Sequence, residues 1–241
     1  MSAGILASYN SPKPHSIPSI EHQTVEARIL DRPAFANVEI ELQAGDEIIA
    51  EADAMASMDA SIAMSTRWSG GVIRGILKRF FGGESMFVNS FTTATHGKLR
   101  LTQGLPGDIE CIELRGNSMF LQPGAFLACE PTVKLGLAWA GLKMFIAREG
   151  LFRLKVSGTG RVWFGAYGGI FEREIDSEYI VDSGHLVAYE PTVSIKLGMA
   201  GGLFSSFFSG EGLVAKVNGP GKIYMQSRSF DGLAAWTNAH L

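Results

Sequence analysis

The sequence predicts a mainly β fold, built from antiparallel strands that are joined by short connections. Glycine supplies 29 of the 241 residues, well above its usual share. Glycines between short apolar runs mark turns and bulges, because glycine adopts a positive φ without steric cost. Apolar and polar residues alternate in Phe152–Val156 and Ile109–Leu114, which is typical of half-buried strands. A repeated motif also divides the chain into three units.

The repeat is clearest in a hexapeptide. Ala128–Val133 (Ala-Cys-Glu-Pro-Thr-Val) returns as Ala188–Val193 (Ala-Tyr-Glu-Pro-Thr-Val), an offset of 60 residues. Each copy continues through Lys-Leu-Gly, an Ala/Gly-rich stretch and Glu-Gly-Leu to a Gly-x-Gly-basic segment, Gly158–Arg161 or Gly219–Lys222. Such ordered self-similarity predicts one supersecondary unit used repeatedly.

A more diverged copy precedes these two. Phe80–Glu84 matches Phe207–Glu211, and His96–Lys98 stands where the later copies have their glycine and basic residue. We predict three units that pack around a pseudo-threefold axis or stack as layers of one sandwich. The predicted divisions are an N-terminal extension over 1–35, a triplicated β domain over 36–230 with repeats at about 36–106, 107–172 and 173–230, and a short tail over 231–241.

The elements of one unit follow in order. A turn glycine, Gly124 or Gly184, precedes an apolar strand, and a Glu-Pro step comes next, where proline cannot donate to a ladder and so begins a strand or lies at an edge. Extended structure resumes at Val133–Leu137 and Val193–Leu197. The Ala/Gly-rich stretches are interpreted as tight connections or short helices. The Gly-x-Gly-basic segment is predicted to turn a β-hairpin that closes the unit.

This triplicated layout resembles the mitochondrial biogenesis family that is named for altered inheritance of mitochondria. The resemblance covers about residues 36–230 and is carried by the Glu-Pro-Thr-Val, Glu-Gly-Leu and Gly-x-Gly-basic segments. The family is similar in fold to the tryptophan RNA-binding attenuator protein, which implies TRAP-like antiparallel β-sandwich domains. The resemblance implies no enzyme activity, since fold does not determine function.

Composition limits the class of protein. The net charge of -3 provides no global positive field, so a nucleic-acid partner is not expected. Cys111 and Cys129 lie in apolar stretches and are predicted to be buried free thiols. The uncharged run Leu197–Gly210 is shorter than the ~20 residues that span a bilayer. With no secretory signal sequence, we expect a cytoplasmic location, with a mitochondrial one as the alternative.

Catalytic and metal-binding motifs are absent from the sequence. It contains no Walker A loop, His-Glu-x-x-His helix, Gly-x-Ser-x-Gly elbow or Cys-x-x-Cys pair. Its five histidines are scattered, whereas zinc needs three or four convergent ligands. We therefore expect no enzyme activity, no cofactor and no metal.

Three glutamates, Glu84, Glu149 and Glu211, occupy equivalent positions in the repeats. A ring of carboxylates could hold a cation or, with raised pKa values, perform acid–base chemistry. Alternatively, each carboxylate caps a turn by accepting backbone N–H groups. Recurrence favours the structural interpretation, because a turn must recur in every repeat and a catalytic group need not.

Three basic residues, Lys98, Arg161 and Lys222, are likewise equivalent. They could contact phosphate, or they could keep strand edges soluble and unpaired. Base-stacking aromatic residues nearby would favour phosphate contact. Trp163 and Tyr224 lie two positions after Arg161 and Lys222, but no aromatic residue holds that place after Lys98.

Bulky apolar residues cluster in the Gly-rich stretches, with four basic residues among them over 67–81. Exposed, they would form an interaction patch for a membrane surface or another subunit. Buried, they would be core or a homo-oligomer interface, which the glycines favour because they weaken a free amphipathic helix. The predicted patch consists of Trp68, Phe80, Phe81, Met144, Phe145, Phe207 and Phe208.

The function predicted from the sequence is a non-enzymatic scaffold or interaction protein that contacts membranes or protein assemblies and forms a homo-oligomer. The alternative is an RNA- or small-ligand-binding module of the TRAP-like kind, which would use Lys98, Arg161 and Lys222.

Overall fold

The computed structural model describes residues 25–68, 87–122, 124–139, 152–199 and 213–240. Its fold is mainly β, as predicted, and the ladders between its named strands are antiparallel. The strands are β1 (Glu26–Leu30), β2 (Asn37–Gln43), β3 (Glu47–Glu51), β4 (Met55–Met58), β5 (Ile62–Trp68), β6 (Phe87–Thr93), β7 (His96–Thr102), β8 (Ile109–Leu121), β9 (Phe126–Cys129), β10 (Val133–Trp139), β11 (Phe152–Gly165), β12 (Ile170–Ile175), β13 (Glu178–Asp182), β14 (Leu186–Tyr189), β15 (Ser194–Met199), β16 (Leu213–Asn218) and β17 (Gly221–Gln226).

The same four strand pairings occur at both ends of the chain. In the first unit β2 and β4 pair with β7, while β3 and β5 pair with β6. In the last unit β12 and β14 pair with β17, while β13 and β15 pair with β16. The middle unit uses longer strands, because β8 and β11 each run through two of these positions and pair with each other along their length.

The hairpins that were predicted to close each unit are wrong. Gly158–Arg161 lies inside β11, where the register with β8 shifts between Gly158 and Thr159. In the last unit β16 and β17, on either side of Gly219, belong to different sheets. The positive φ of Gly158 (116°) and Gly160 (136°) accompanies this register shift, as in a β-bulge, and the chain does not reverse there.

Successive units are joined edge to edge. β3 of the first unit pairs with β9 of the second, with Ile49 opposite Cys129. β8 of the second unit pairs with β14 of the third, with Phe120 opposite Tyr189. A ten-stranded sheet consequently passes through all three units.

Each unit has its own group of buried apolar side chains. Because neighbouring strand residues face opposite sides of a sheet, adjacent residues of β11 serve two groups. Trp163 belongs to the same buried group as Ile40 and Leu99 of the first unit, whereas Phe164 belongs to the same group as Val156 of the second. The units are therefore coupled through shared core residues as well as through strand pairing.

The chain termini add two elements to the three units. β1 pairs with β2 at the edge of the first unit. A helix, α1 (Phe230–His240), forms where the sequence had indicated only a short tail. In the described ranges, no helix combines the length and the apolar character that crossing a bilayer requires.

Candidate functional site

The Glu-Pro-Thr-Val segment forms a turn that is held by the strand crossing beneath it. The Glu130 N–H donates to the Arg161 carbonyl at 3.0 Å, and Glu130 Oε2 accepts the Arg161 N–H at 2.9 Å. Inside the turn the Val133 N–H donates to the Glu130 carbonyl at 3.0 Å. One acidic residue thus satisfies both backbone groups of the basic residue and closes its own turn.

The same hydrogen bonds recur in the last unit. Glu190 N–H donates to the Lys222 carbonyl at 3.0 Å, its Oε2 accepts the Lys222 N–H at 3.0 Å, and the Val193 N–H donates to the Glu190 carbonyl at 3.0 Å. The identical sequence Glu-Pro-Thr-Val accounts for this agreement.

A third such turn in the first unit was missed by the sequence analysis. Asp59 N–H donates to the Lys98 carbonyl at 3.0 Å, Asp59 Oδ2 accepts the Lys98 N–H at 2.8 Å, and the Ile62 N–H donates to the Asp59 carbonyl at 3.0 Å. The segment Asp59–Ile62 (Asp-Ala-Ser-Ile) shares no residue with Glu-Pro-Thr-Val. Its pattern of acid, spacer, hydroxyl and β-branched residue was the available signal.

The glycine before each basic residue permits a close approach to the turn. A Cβ on Gly160 would lie 2.7 Å from Thr132 Oγ1, and one on Gly221 would lie 2.6 Å from Thr192 Oγ1. A Cβ on Gly97 would meet Ser61 Oγ at 2.8 Å. At these distances a side chain would force its neighbours to move, so the recurring glycines serve close packing between strand and turn.

The side chains of the three basic residues already contact carboxylates. Arg161 Nε donates to Glu130 Oε1 at 2.9 Å, and the Arg161 guanidinium also bonds the Val25 carbonyl. Only 20% of the Arg161 side chain is exposed. In this unit the basic group is a half-buried structural cation.

Lys98 and Lys222 are more accessible but also paired. Lys98 Nζ lies 3.1 Å from Glu41 Oε1, and this hydrogen bond raises the lysine pKa. Lys222 Nζ lies 2.9 Å from Glu172 Oε1, which raises its pKa in the same way. A phosphate would therefore have to compete with a carboxylate at each position.

The two aromatic residues considered for base stacking are buried. Trp163 is 1% exposed and Tyr224 is 5% exposed. Arg161 lies over the Trp163 ring at 5.0 Å, so that one face of the indole is covered by a cation. Neither ring presents a free face to a nucleobase.

The predicted apolar patch lies almost wholly outside the described residues, as do Glu84, Glu149 and Glu211. Trp68 is the last residue of β5. The other patch residues, Phe80, Phe81, Met144, Phe145, Phe207 and Phe208, fall in the segments 69–86, 140–151 and 200–212. Each segment connects the two strands of one equivalent pair: β5 and β6, β10 and β11, or β15 and β16.

An ion pair ties the N-terminal extension to the second unit. Asp108, whose side chain is 5% exposed, accepts hydrogen bonds from Arg32 Nε at 2.7 Å and from Arg32 Nη2 at 3.0 Å. The Ile109 N–H also donates to Asp108 Oδ1 at 2.9 Å, and Arg32 Nη2 reaches Glu110 Oε2 at 3.0 Å. Both oxygens of the Asp108 carboxylate are therefore engaged in hydrogen bonds within the protein.

The cysteines are free thiols, as predicted. Burial raises the pKa of the Cys111 thiol to about 11 and raises that of Cys129 further, so neither is an activated nucleophile. Among the residues that the structure describes, no three His, Cys, Asp or Glu side chains converge as metal ligands.

Comparison with known proteins identifies a family and similar proteins within it. The model of the family described as "Mitochondrial biogenesis AIM24" matches residues 27–228. An uncharacterised protein of Streptococcus pyogenes serotype M6, M6_Spy0233, is 28% identical over 216 residues, which are 86% of this chain and 87% of that protein. The crystal structure of SPYM3_0169 from Streptococcus pyogenes superposes with a TM-score of 0.74 at 26% identity, covering 90% of this chain and 100% of that one.

Proposed function

The chain belongs to this AIM24 family, and we propose that it acts as a non-enzymatic scaffold or interaction protein. In this proposal its β framework presents three Gly- and Phe-rich segments, 69–86, 140–151 and 200–212, to a membrane surface or a protein assembly. One observation carries it: each segment leaves the framework at the same place, the end of an equivalent antiparallel strand pair.

The composition of these segments supports a surface-binding role. They hold five basic and three acidic side chains, a net charge of +2, whereas the whole chain carries -3. Phe80 and Phe81 follow directly on Lys78 and Arg79. Basic residues beside aromatic ones suit an anionic lipid surface, because charge attraction and apolar burial then act together.

A flotation experiment with vesicles tests this role. We expect the protein to float with vesicles that contain anionic lipid and to stay at the bottom with neutral ones. Replacing Phe80, Phe81, Phe207 and Phe208 by serine should weaken binding by at least about tenfold, since each loses buried apolar area. The control is Phe171→Ser, which removes an aromatic residue that is 47% exposed on β12.

Two results would count against the proposal. If the serine variants and Phe171→Ser floated equally well, the three segments would not be the contact surface. A small molecule that raised Tm in a saturable way and was then converted to product would show that the protein is an enzyme and not a scaffold.

The alternative, an RNA- or small-ligand-binding TRAP-like module, has one observation in its favour. Lys98, Arg161 and Lys222 stand at equivalent positions above the three like turns. Their carboxylate partners and the burial of Trp163 and Tyr224 weigh against it. Salt-dependent RNA binding that is lost when all three basic residues become alanine would favour this alternative; no binding at low salt would exclude it.

The TRAP-like arrangement of three units around a pseudo-threefold axis stays a prediction. The two like junctions, β3 with β9 and β8 with β14, support a regular succession of units. A closed threefold would need a third junction of that kind, and no ladder joins β13 to β4 in the described chain. The cytoplasmic location, with its mitochondrial alternative, also stays a prediction.

A further inference from the structure

Two strand edges are left without the partner that their equivalents have. β4 pairs only with β7, and β13 pairs only with β16, among the strands that the structure describes. The strands equivalent to β4, which are β9 and β14, each pair with a neighbouring unit. The strands equivalent to β13 are β3 and the second half of β8. In the two junctions, β3 pairs with β9, and the second half of β8 pairs with β14.

The two internal junctions define which residues would meet. Cys129 and Tyr189, each directly before the acidic residue of its turn, lie opposite Ile49 and Phe120. Met58 holds the same place before Asp59. Ile180 corresponds to Ile49 and Phe120, because these three lie opposite Lys216, Ser90 and Lys155 on the paired strand. The matching contact would thus place Ile180 opposite Met58.

The next pair in the ladder fits equally well. Ala128 lies opposite Ala50, and Ala188 lies opposite Leu121. The corresponding residues on the open edges are Ser57 and Val181, again a small residue opposite an aliphatic one. The size pattern of the internal junctions is therefore kept at both open edges.

Burial separates the used edges from the open ones. Ser57 is exposed, whereas its equivalents Ala128 and Ala188 are each 0% exposed. Ile180 is 56% exposed, whereas its equivalents Ile49 and Phe120 are half-buried. β4 has the sequence Met-Ala-Ser-Met, without a charged residue. Charged side chains are a common device that blocks edge strands from pairing, so this edge is open to another strand.

We propose that β13 of one chain pairs in antiparallel fashion with β4 of a second copy, with Ile180 opposite Met58 and Val181 opposite Ser57. The contact repeats the internal junction between chains and continues the edge-to-edge succession of units. It is heterologous, because two different edges meet, and so it builds rings or open chains from identical copies. This association is independent of what the Phe-rich segments bind.

The oligomeric state of the full chain tests the proposal, with one variant for each edge. Light scattering after size exclusion should give the mass of two or more copies, rising with concentration. Ile180→Glu and Ser57→Glu should each give the monomer mass, since a buried carboxylate would lie in the junction. Each glutamate would face a basic cross-strand neighbour, Lys216 or Arg100, so folding is not expected to suffer.

The control is Phe171→Glu, which places the same charge on β12, another edge strand. It should keep the oligomer mass, and the circular dichroism of all three variants should match that of the parent chain. A monomeric parent chain at every concentration would overturn the proposal, as would an Ile180→Glu variant that stays oligomeric.

Mixing the two edge variants tests the head-to-tail geometry. The Ile180→Glu chain keeps an intact β4 edge, and the Ser57→Glu chain keeps an intact β13 edge. An equimolar mixture should therefore recover a dimer that neither variant forms alone. A mixture that stays monomeric while the parent chain is oligomeric would show that the contact joins other surfaces.

Discussion

Glu130 is hydrogen-bonded to both backbone groups of Arg161, through its carboxylate and through its own N–H. Glu130 Oε2 accepts the Arg161 N–H at 2.9 Å, while the Glu130 N–H donates to the Arg161 carbonyl at 3.0 Å. The Arg161 Nε adds a bond of 2.9 Å to Oε1 of the same carboxylate. Since only 14% of the Glu130 side chain is exposed, water cannot readily replace these bonds.

Glu130→Ala should therefore lower the free energy of unfolding by about 2–3 kcal/mol, because a half-buried N–H and a guanidinium lose a charged acceptor. Glu130→Gln should cost less, about 1 kcal/mol, because its amide oxygen still accepts the Arg161 N–H. Urea unfolding followed by circular dichroism measures both values. The control, Glu113→Ala, removes an exposed carboxylate that pairs with Arg115 and should have no measurable effect.

Gly160 should tolerate alanine less well than Gly116, although both have positive φ values, 136° and 82°. A Cβ on Gly116 has no atom within 4 Å, whereas one on Gly160 lies 2.7 Å from Thr132 Oγ1. We expect a loss of about 1–2 kcal/mol for Gly116→Ala from backbone strain alone, and about 3 kcal/mol or more for Gly160→Ala from strain plus overlap.

The clash at Gly160 can be separated from the strain by a second substitution. Thr132→Ala removes the nearest atom, so it should recover part of the loss in the Gly160→Ala background, and urea unfolding of the double variant measures this coupling. Equal losses for Gly160→Ala and Gly116→Ala would mean that close approach to the turn is not what requires glycine.

The sequence predicted the β class and located the two identical Glu-Pro-Thr-Val segments at Glu130 and Glu190, although it indicated a strand start or edge there and not the turns that they form. It did not reveal the turn at Asp59, where only the chemistry of the residues is shared. An aspartate reaches the backbone N–H of Lys98 as a glutamate does elsewhere, so hydrogen bonding preserves the turn while residue identity is lost.

The predicted hairpins failed for a different reason. Glycines with positive φ suit both a chain reversal and a bend within a strand, and local sequence does not distinguish them. β11 pairs with β8 on both sides of Gly158, so the chain does not reverse there. That pairing joins residues that are distant in sequence, and the local pattern does not predict it. The sequence likewise did not reveal the carboxylate partners of Lys98 and Lys222, which lie on other strands.

The two thiols should be unreactive in the folded protein. Burial raises the pKa of Cys111 to about 11, and a thiol is nucleophilic only as the thiolate, which forms above its pKa. At pH 8 roughly one Cys111 in a thousand would be ionised. Iodoacetamide labelling with mass spectrometry should show slow modification of both cysteines until urea unfolds the chain. Rapid labelling of Cys129 under native conditions would show that its strand opens readily.

Asp108 should be the costliest carboxylate to lose from the N-terminal attachment. It is 5% exposed and accepts two hydrogen bonds from Arg32 and one from the Ile109 N–H. Asp108→Asn should lower the free energy of unfolding by about 2–3 kcal/mol, toward the low end for a buried pair because Arg32 is 41% exposed. Denaturation of Asp108→Asn, Arg32→Gln and the double variant should give a coupling of at least about 1 kcal/mol.

Glu26→Gln, which affects an exposed pair with Arg28, is the control and should change nothing measurable. Additive losses in the cycle would mean that the ion pair does not hold the extension to the second unit.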